Sequence, residues 1–241
     1  MKRADHSSIV VALQARMTSQ RLPGKVMRKI VGKSILQHML DRLQRCTTID
    51  GLWIATSTDA TDDPIAEFAS QSRVNIYRGD LNDVASRILG AARTANADAV
   101  VRISGDSPLI DPAIVDRAVA LYRRESPGLA TNVLRRTFPK GQSVEVISVP
   151  ALTLACSEMN SASDREHVTT WFYANPSRVR IVAFESEKLR NSYQLSIDTP
   201  QDLERAEAIL MLLGEPAAEH SLEAVVAAAD SIEPRDLHDK K

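Results

Sequence analysis

Ile9-Val10-Val11-Ala12-Leu13-Gln14-Ala15-Arg16-Met17-Thr18-Ser19-Gln20-Arg21-Leu22-Pro23-Gly24-Lys25 reads as a strand that breaks into a cationic, glycine-containing loop. The apolar run of residues 9–13 gives the strand. Arg16, Arg21 and Lys25 are spaced too irregularly to share one helix face, yet a loop doubling back at Pro23-Gly24 turns all three heads toward a single anion. Gly24 has no Cβ, so the backbone can approach that anion closely. Three cations on one loop at a strand end suit a triphosphate. The plainer alternative is a solvated basic loop.

Outward from this stretch, short β-branched runs alternate with helical patterns, and the alternation predicts an α/β fold with a mainly parallel central sheet flanked by helices. Ser34 caps a helix in which Ile35, Leu36, Met39, Leu40 and Leu43 recur at helical spacing. Strands are expected at residues 52–56, 75–77 and 99–103, the last apolar except for Arg102. Helices are expected from Asp63-Pro64, over residues 83–95, and from Asp111-Pro112, with proline where a missing donor costs nothing. After Arg124 the character changes. Pro127, Gly128, Pro139 and Gly141 punctuate short extended pieces such as residues 129–133 and 143–147, so residues 134–173 are expected as an inserted arm with a helix near 163–173. Strands at 179–184 and 194–197 follow, then Asp198-Thr199-Pro200 and another helix. Residues 1–215 thus form the main domain and 216–241 a helical tail with a charged, frayed end.

The chain has 241 residues, 44% of them hydrophobic, enough for a core of its own. Its formal net charge of −1 gives no global basic field, which argues against nucleic acid as a partner. Cys46 and Cys156 lack C-x-x-C spacing, so a disulfide framework or zinc site is not expected and a reducing cytoplasm is. Met1-Lys2-Arg3-Ala4-Asp5-His6 has no apolar signal region, and no segment is long enough to span a bilayer.

In open parallel sheets ligands gather outside the carboxyl ends of the strands. Residues 16–25, Arg78, Asp106 and Asp198 all fall there. Mg²⁺ is commonly held by one or two carboxylates together with substrate phosphate oxygens, and Asp106 and Asp198 answer that requirement. Each aspartate alone could be a turn or capping residue. Both together, opposite a cationic loop, point to phosphoryl or nucleotidyl transfer. Replacing either by asparagine is expected to abolish turnover and to leave stability unchanged, or to raise it if the two carboxylates repel one another.

Further blocks carry a likeness. The run from Gln14 to Lys25, Arg78-Gly79, Asp83-Val84-Ala85-Ser86-Arg87, Val101-Arg102-Ile103-Ser104-Gly105-Asp106-Ser107-Pro108, Thr137-Phe138-Pro139-Lys140-Gly141, Val144-Glu145-Val146, Asp164-Arg165-Glu166-His167-Val168 and Ile197-Asp198-Thr199-Pro200 resemble, in order, the sugar-acid cytidylyltransferases. These include the CMP-KDO synthetases and acylneuraminate cytidylyltransferases, and the likeness is greatest to the spore coat polysaccharide branch, in which Gln14 replaces the proline of the KDO enzymes. The resemblance implies a nucleotide-diphospho-sugar transferase fold and the transfer of CMP from CTP to a sugar acid, with pyrophosphate released and Mg²⁺ as cofactor. It implies that Arg16, Arg21 and Lys25 bind the triphosphate, and that the backbone of Leu13, Gln14 and Ala15 with Arg78, Arg87 and Gly105 holds the nucleotide. Asp106 and Asp198 would hold the metal, and Glu145, Arg165 and His167 would line the acceptor side.

Two departures bear on the second substrate: Ser104 stands where the KDO and neuraminate enzymes carry glutamine, and Gln142-Ser143 replaces a Leu-Asp pair. The arm of residues 134–173 is expected to form both the acceptor wall and a homodimer contact, with Trp171, Phe172 and Tyr173 supplying apolar interface. His38 is read as structural. Two other readings remain open at this point: a glycosyltransferase of similar fold, against which stands the lack of a D-x-D motif after the fourth strand, and a catalytically weak nucleotide-binding module.

Overall fold

The computed structural model describes residues 7–232; the expectations for residues 1–6 and for the charged C-terminal end lie outside them. Among the described residues there are nine strands: β1 Ile9–Gln14, β2 Lys29–Ile30, β3 Lys33–Ser34, β4 Gly51–Ser57, β5 Asn75–Gly79, β6 Ala99–Ser104, β7 Leu129–Thr131, β8 Glu145–Ser148 and β9 Ile181–Ala183. The helices are α1 Ile35–Leu43, α2 Asp63–Gln71, α3 Val84–Thr94, α4 Pro112–Glu125, α5 Val149–Glu158, α6 Ala162–His167, α7 Thr170–Ala174, α8 Pro200–Leu213 and α9 Leu222–Ile232. Seven strands form one sheet in the order β5-β4-β1-β6-β8-β7-β9, and β2 and β3 pair as a separate antiparallel hairpin. This is the α/β architecture expected, with β5, β4, β1 and β6 all parallel.

Both faces of the sheet are covered, which is why its central strands are apolar almost throughout. Val11, Leu13, Ile54, Val101 and Val146 face α1, α2, α4, α8 and α9. Val10, Ala12, Ala55, Val100 and Ile147 face α3, α5 and α7. The caps follow the local chemistry: Ser34, Asp83 and Asp111 accept from Gln37, Ser86 and Ala113 N–H respectively. Arg42, 1% exposed, ties the C-terminal segment down by donating to the carbonyls of Ile110, Ala217 and His220. Desolvation lowers its pKa to about 10, and the Asp111 charge opposes that fall.

Several expectations are corrected. Residues 134–173 are not an arm apart from the sheet, because β8 pairs antiparallel with β6 on one side and β7 on the other. The helix expected near 163–173 breaks into α6 and α7 at Val168, whose φ of 56° makes a γ-turn closed by Thr169 N–H donating to His167 O at 2.5 Å. Residues 194–197 form no strand and make only an isolated bridge from Gln194 to Lys140. Trp171 and Phe172 are 5% and 0% exposed and pack edge-on inside this protomer's own core, so they offer no surface to a partner. His38 is structural as expected, its Nε2 lying 2.9 Å from Ile30 O in the core. Among the described residues no helix is long and apolar enough to cross a membrane.

Candidate active site

The cleft opens at the carboxyl ends of β1 and β6. Gln14 ends β1 between Ala55 and Ser104 on its two neighbours. Gly105 then donates its N–H to Gln14 O, and a Cβ on Gly105 would come within 2.7 Å of that oxygen, so only glycine permits the approach. The loop of residues 16–25 folds back on itself as expected: Gly24, at φ 67°, donates its N–H to Met17 O. Leu22 and Val26, both nearly fully buried, root it in the core.

A carboxylate that sequence reasoning missed anchors this loop. Asp62 is fully buried and takes four bonds, from Met17 N–H, Ser57 N–H and the hydroxyls of Thr56 and Ser57. Its signal lay in the run Asp59-Ala60-Thr61-Asp62-Asp63-Pro64, which holds more carboxylates than one helix start requires.

Arg21, Lys25, Asp106 and Asp198 come together. The Lys25 ammonium lies 3.1 Å from Asp106 Oδ2, 3.5 Å from Asp198 Oδ1 and 2.9 Å from Ile197 O, and Arg21 reaches Asp198 Oδ1 at 3.0 Å. Ile197 N–H donates to Asp106 O, which fixes the two aspartate-bearing segments side by side. Neither aspartate is spent on a cap. Thr199 caps α8 in a reciprocal capping box with Asp202, and Asp111 caps α4. Arg16 lines the same cleft but turns to Glu166, at 2.5 Å, another residue the sequence did not single out. This bond to Arg16 holds the Glu166 carboxyl below its usual range against the opposing effect of burial.

The pair Arg16–Glu166 forms a latch between two residues that line the cleft. Its side chains are 35% and 43% exposed, so its worth is below about 1 kcal/mol. Glu166→Gln is expected to free Arg16 and tighten triphosphate binding roughly two- to fivefold, measured by calorimetry. The latch itself weakens as pH falls through the lowered Glu166 pKa. Weaker binding in the variant would mean that Glu166 aims Arg16 at the ligand.

The residues expected at the nucleotide divide. Gln14, Ala15, Arg87 and Gly105 line the cleft. Arg87 is 2% exposed, donates to the carbonyls of Asp80 and Leu81, and keeps a buried Nε without a partner among the described residues. Leu13, expected to contribute its backbone, does not line the cleft, and its side chain lies in the core. Arg78 does not line the cleft, because its guanidinium is held by Ser57 O, Asp59 O and Asp63 Oδ1.

A second cavity adjoins the cleft, each about 510 Å³, and Arg102 and His167 line both. Glu145 lines the second cavity, but its oxygens already accept from Arg102 at 2.6 Å and Tyr173 Oη at 2.7 Å. Arg165 lines neither cavity. It donates to Asp83 Oδ2 and Met159 O and pins α6 to the start of α3, so the expected direct contact with an acceptor is withdrawn. Gln142 is also structural: it is fully buried, accepting from Asp111 N–H and donating to Leu109 O. Ser143 beside it does line the second cavity, presenting a neutral hydroxyl where the resembling enzymes place an aspartate.

A cationic loop, two carboxylates ion-paired to it and a second cavity against the first define a nucleotidyltransferase. The chain belongs to the cytidylyltransferase family, which it matches over residues 10–231. It is 29% identical to the spore coat polysaccharide biosynthesis protein SpsF of Bacillus subtilis, over 87% of this chain and 89% of that protein. It is 28% identical to the 3-deoxy-manno-octulosonate cytidylyltransferase of Solibacter usitatus, over 82% and 92%. The solved structure of a cytidylyltransferase from Leptospira borgpetersenii superposes with a TM-score of 0.87 at 31% identity, over 95% of both chains.

Proposed function

We propose that the chain transfers CMP from CTP to an acidic sugar, releasing pyrophosphate, in the making of a surface polysaccharide or glycoconjugate. The observation that carries this is the meeting of Lys25, Arg21, Asp106 and Asp198 beside a second cavity with room for an acceptor. Arg16, Arg21 and Lys25 bind the phosphates. The acceptor hydroxyl attacks the α-phosphorus as the bond to the leaving pyrophosphate breaks, and the fixed cations neutralise the charge that develops. The likeness to enzymes named for 3-deoxy-manno-octulosonate, and the neutral Ser143 at the acceptor cavity, support an acid as acceptor.

Mg²⁺ belongs to this reading. Asp106 and Asp198 face one cationic point, and among the described residues no third His, Cys, Asp or Glu joins them into a complete cage. A donor set of two carboxylates fits an ion that takes its remaining ligands from phosphate and water. When bound, Mg²⁺ would supply charge neutralisation on the phosphate oxygens. The reading also carries a cytoplasmic homodimer, which light scattering tests; a monomer at working concentration removes that part.

CTP is expected to bind in preference to ATP, GTP and UTP. With Arg78 held elsewhere, base recognition falls to the backbone at Gln14, Ala15 and Gly105 and to Arg87. Calorimetry against the four triphosphates checks this, and equal affinities would leave only a general triphosphate site. Pyrophosphate release from each triphosphate, with and without sugar acids, tests the whole reading.

A further inference from the structure

The backbone of Gln14 faces the nucleotide cleft, but its side chain belongs to a different arrangement. The two ends of a glutamine amide are alike in size, and the neighbours decide which one faces a ligand. Here a line of bonds with one permitted direction decides it. Glu145, 3% exposed and paired with Arg102, accepts at both oxygens. Tyr173 Oη must therefore donate to Glu145 Oε1. With its proton spent, that oxygen can only accept from Thr131 Oγ1 at 3.1 Å, which in turn accepts from Val133 N–H. On the other side Arg102 has only donors: one goes to Glu145 Oε2, and its Nε goes to Gln14 at 2.9 Å. Gln14 must then turn its carbonyl oxygen to Arg102 and its NH₂ away, into the cleft it lines. No protein group among the described residues accepts from that NH₂.

Gln14 lines the first cavity and touches Arg102, which lines both, so this donor lies on the side of the cleft toward the second cavity. The Arg102 charge is cancelled by Glu145, leaving a neutral, fixed donor there. Arg136 lines the second cavity without an ion-pair partner among the described residues and supplies the attracting charge for an anion entering there. We propose that Gln14 is a specificity-determining residue, donating from Nε2 to the acid group of the acceptor on this side of the cleft. The inference rests on the acid-acceptor reading above. A site built to donate to an oxygen discriminates strongly against a ligand that lacks one there, because the match and the mismatch differ by a full hydrogen bond.

The test uses the full chain with CTP and Mg²⁺, following pyrophosphate release with 3-deoxy-manno-octulosonate and N-acetylneuraminate as probes. Gln14→Met keeps the shape and loses the donor; Gln14→Glu keeps the shape and presents acceptors only. The KM for the acid is expected to rise roughly tenfold or more in the first variant and further in the second, as for loss of a bond to a charged group. The KM for CTP should change less than about twofold. CTP binding by calorimetry on the same samples identifies a variant that has failed to fold, and Gln14→Asn, which keeps a shortened amide, is then the milder substitute. An unchanged acid KM with a raised CTP KM would overturn the proposal and return the side chain to the nucleotide. Failure of the wild-type chain to turn over either acid while binding CTP would remove the acid acceptor from both readings; turnover by the wild type with no Gln14 effect would sink this inference alone.

Discussion

Asp106→Asn and Asp198→Asn are each expected to lower the rate of pyrophosphate release by about a hundred- to a thousandfold, the range seen when one preorganised charge-stabilising contact is lost. The neutral amide keeps the shape of the carboxylate and loses the charge that would hold Mg²⁺ between the two segments. The fold has little stake in either side chain. Thr199 and Asp202 cap α8 without help from the Asp198 carboxylate, and Asp106 takes only the Ser107 hydroxyl and the Lys25 ammonium. The idea that removing one carboxylate relieves a repulsion does not survive the structure, because Lys25 lies between the two and Arg21 adds a second cation at Asp198. Each variant is therefore expected to melt at or slightly below the wild-type temperature. A continuous pyrophosphate assay with a thermal melt on the same preparations checks both statements. Activity above about a tenth of wild type, well outside the expected loss, would leave that aspartate a local structural residue.

What was legible in the sequence is what local rules govern. The apolar run of β1, the Ser34 and Asp111 caps and the Asp63-Pro64 helix start each depend on neighbours within a few residues, and each stands where expected. β8 lies on one of the extended pieces expected after Arg124, but its place in the sheet was not legible, because antiparallel pairing with β6 and β7 is set by partners far along the chain. The break at Val168 was equally hidden, since a β-branched residue gives no sign of a positive φ. For the site, sequence placed charges at strand ends but could not say where long side chains point. Arg78 and Arg165 carry the right charge, yet both are claimed by oxygens outside the cavities. Arg102 was the visible anomaly, a cation in an otherwise apolar strand, and its reason is the buried carboxylate of Glu145 across β8.

Lys25→Ala is expected to weaken CTP binding by roughly ten- to a hundredfold, the loss of one hydrogen bond between charged groups, and CMP binding by no more than about a third of that in free energy. The asymmetry follows from position. Lys25 enters the short turn Lys25–Met27 at the far end of the loop, next to both aspartates, where the distal phosphates and the proposed metal would lie. In the free protein its ammonium occupies the point on which both carboxylates converge, the place a divalent cation would take when nucleotide arrives. Removing it leaves Asp106 and Asp198 facing one another with only Arg21, whose side chain is 66% exposed, to balance them. Two like charges at short range without their counter-ion destabilise the chain, so the variant should melt below wild type without metal. Magnesium alone should then raise its melting temperature more than it raises that of the wild type, because in the variant the ion no longer competes with a tethered ammonium. Differential scanning with and without Mg²⁺ and calorimetry with CMP and CTP read the two effects separately. Equal losses for CMP and CTP would move Lys25 away from the distal phosphates, and a magnesium shift no larger than wild type would mean that the two carboxylates do not share a cation site.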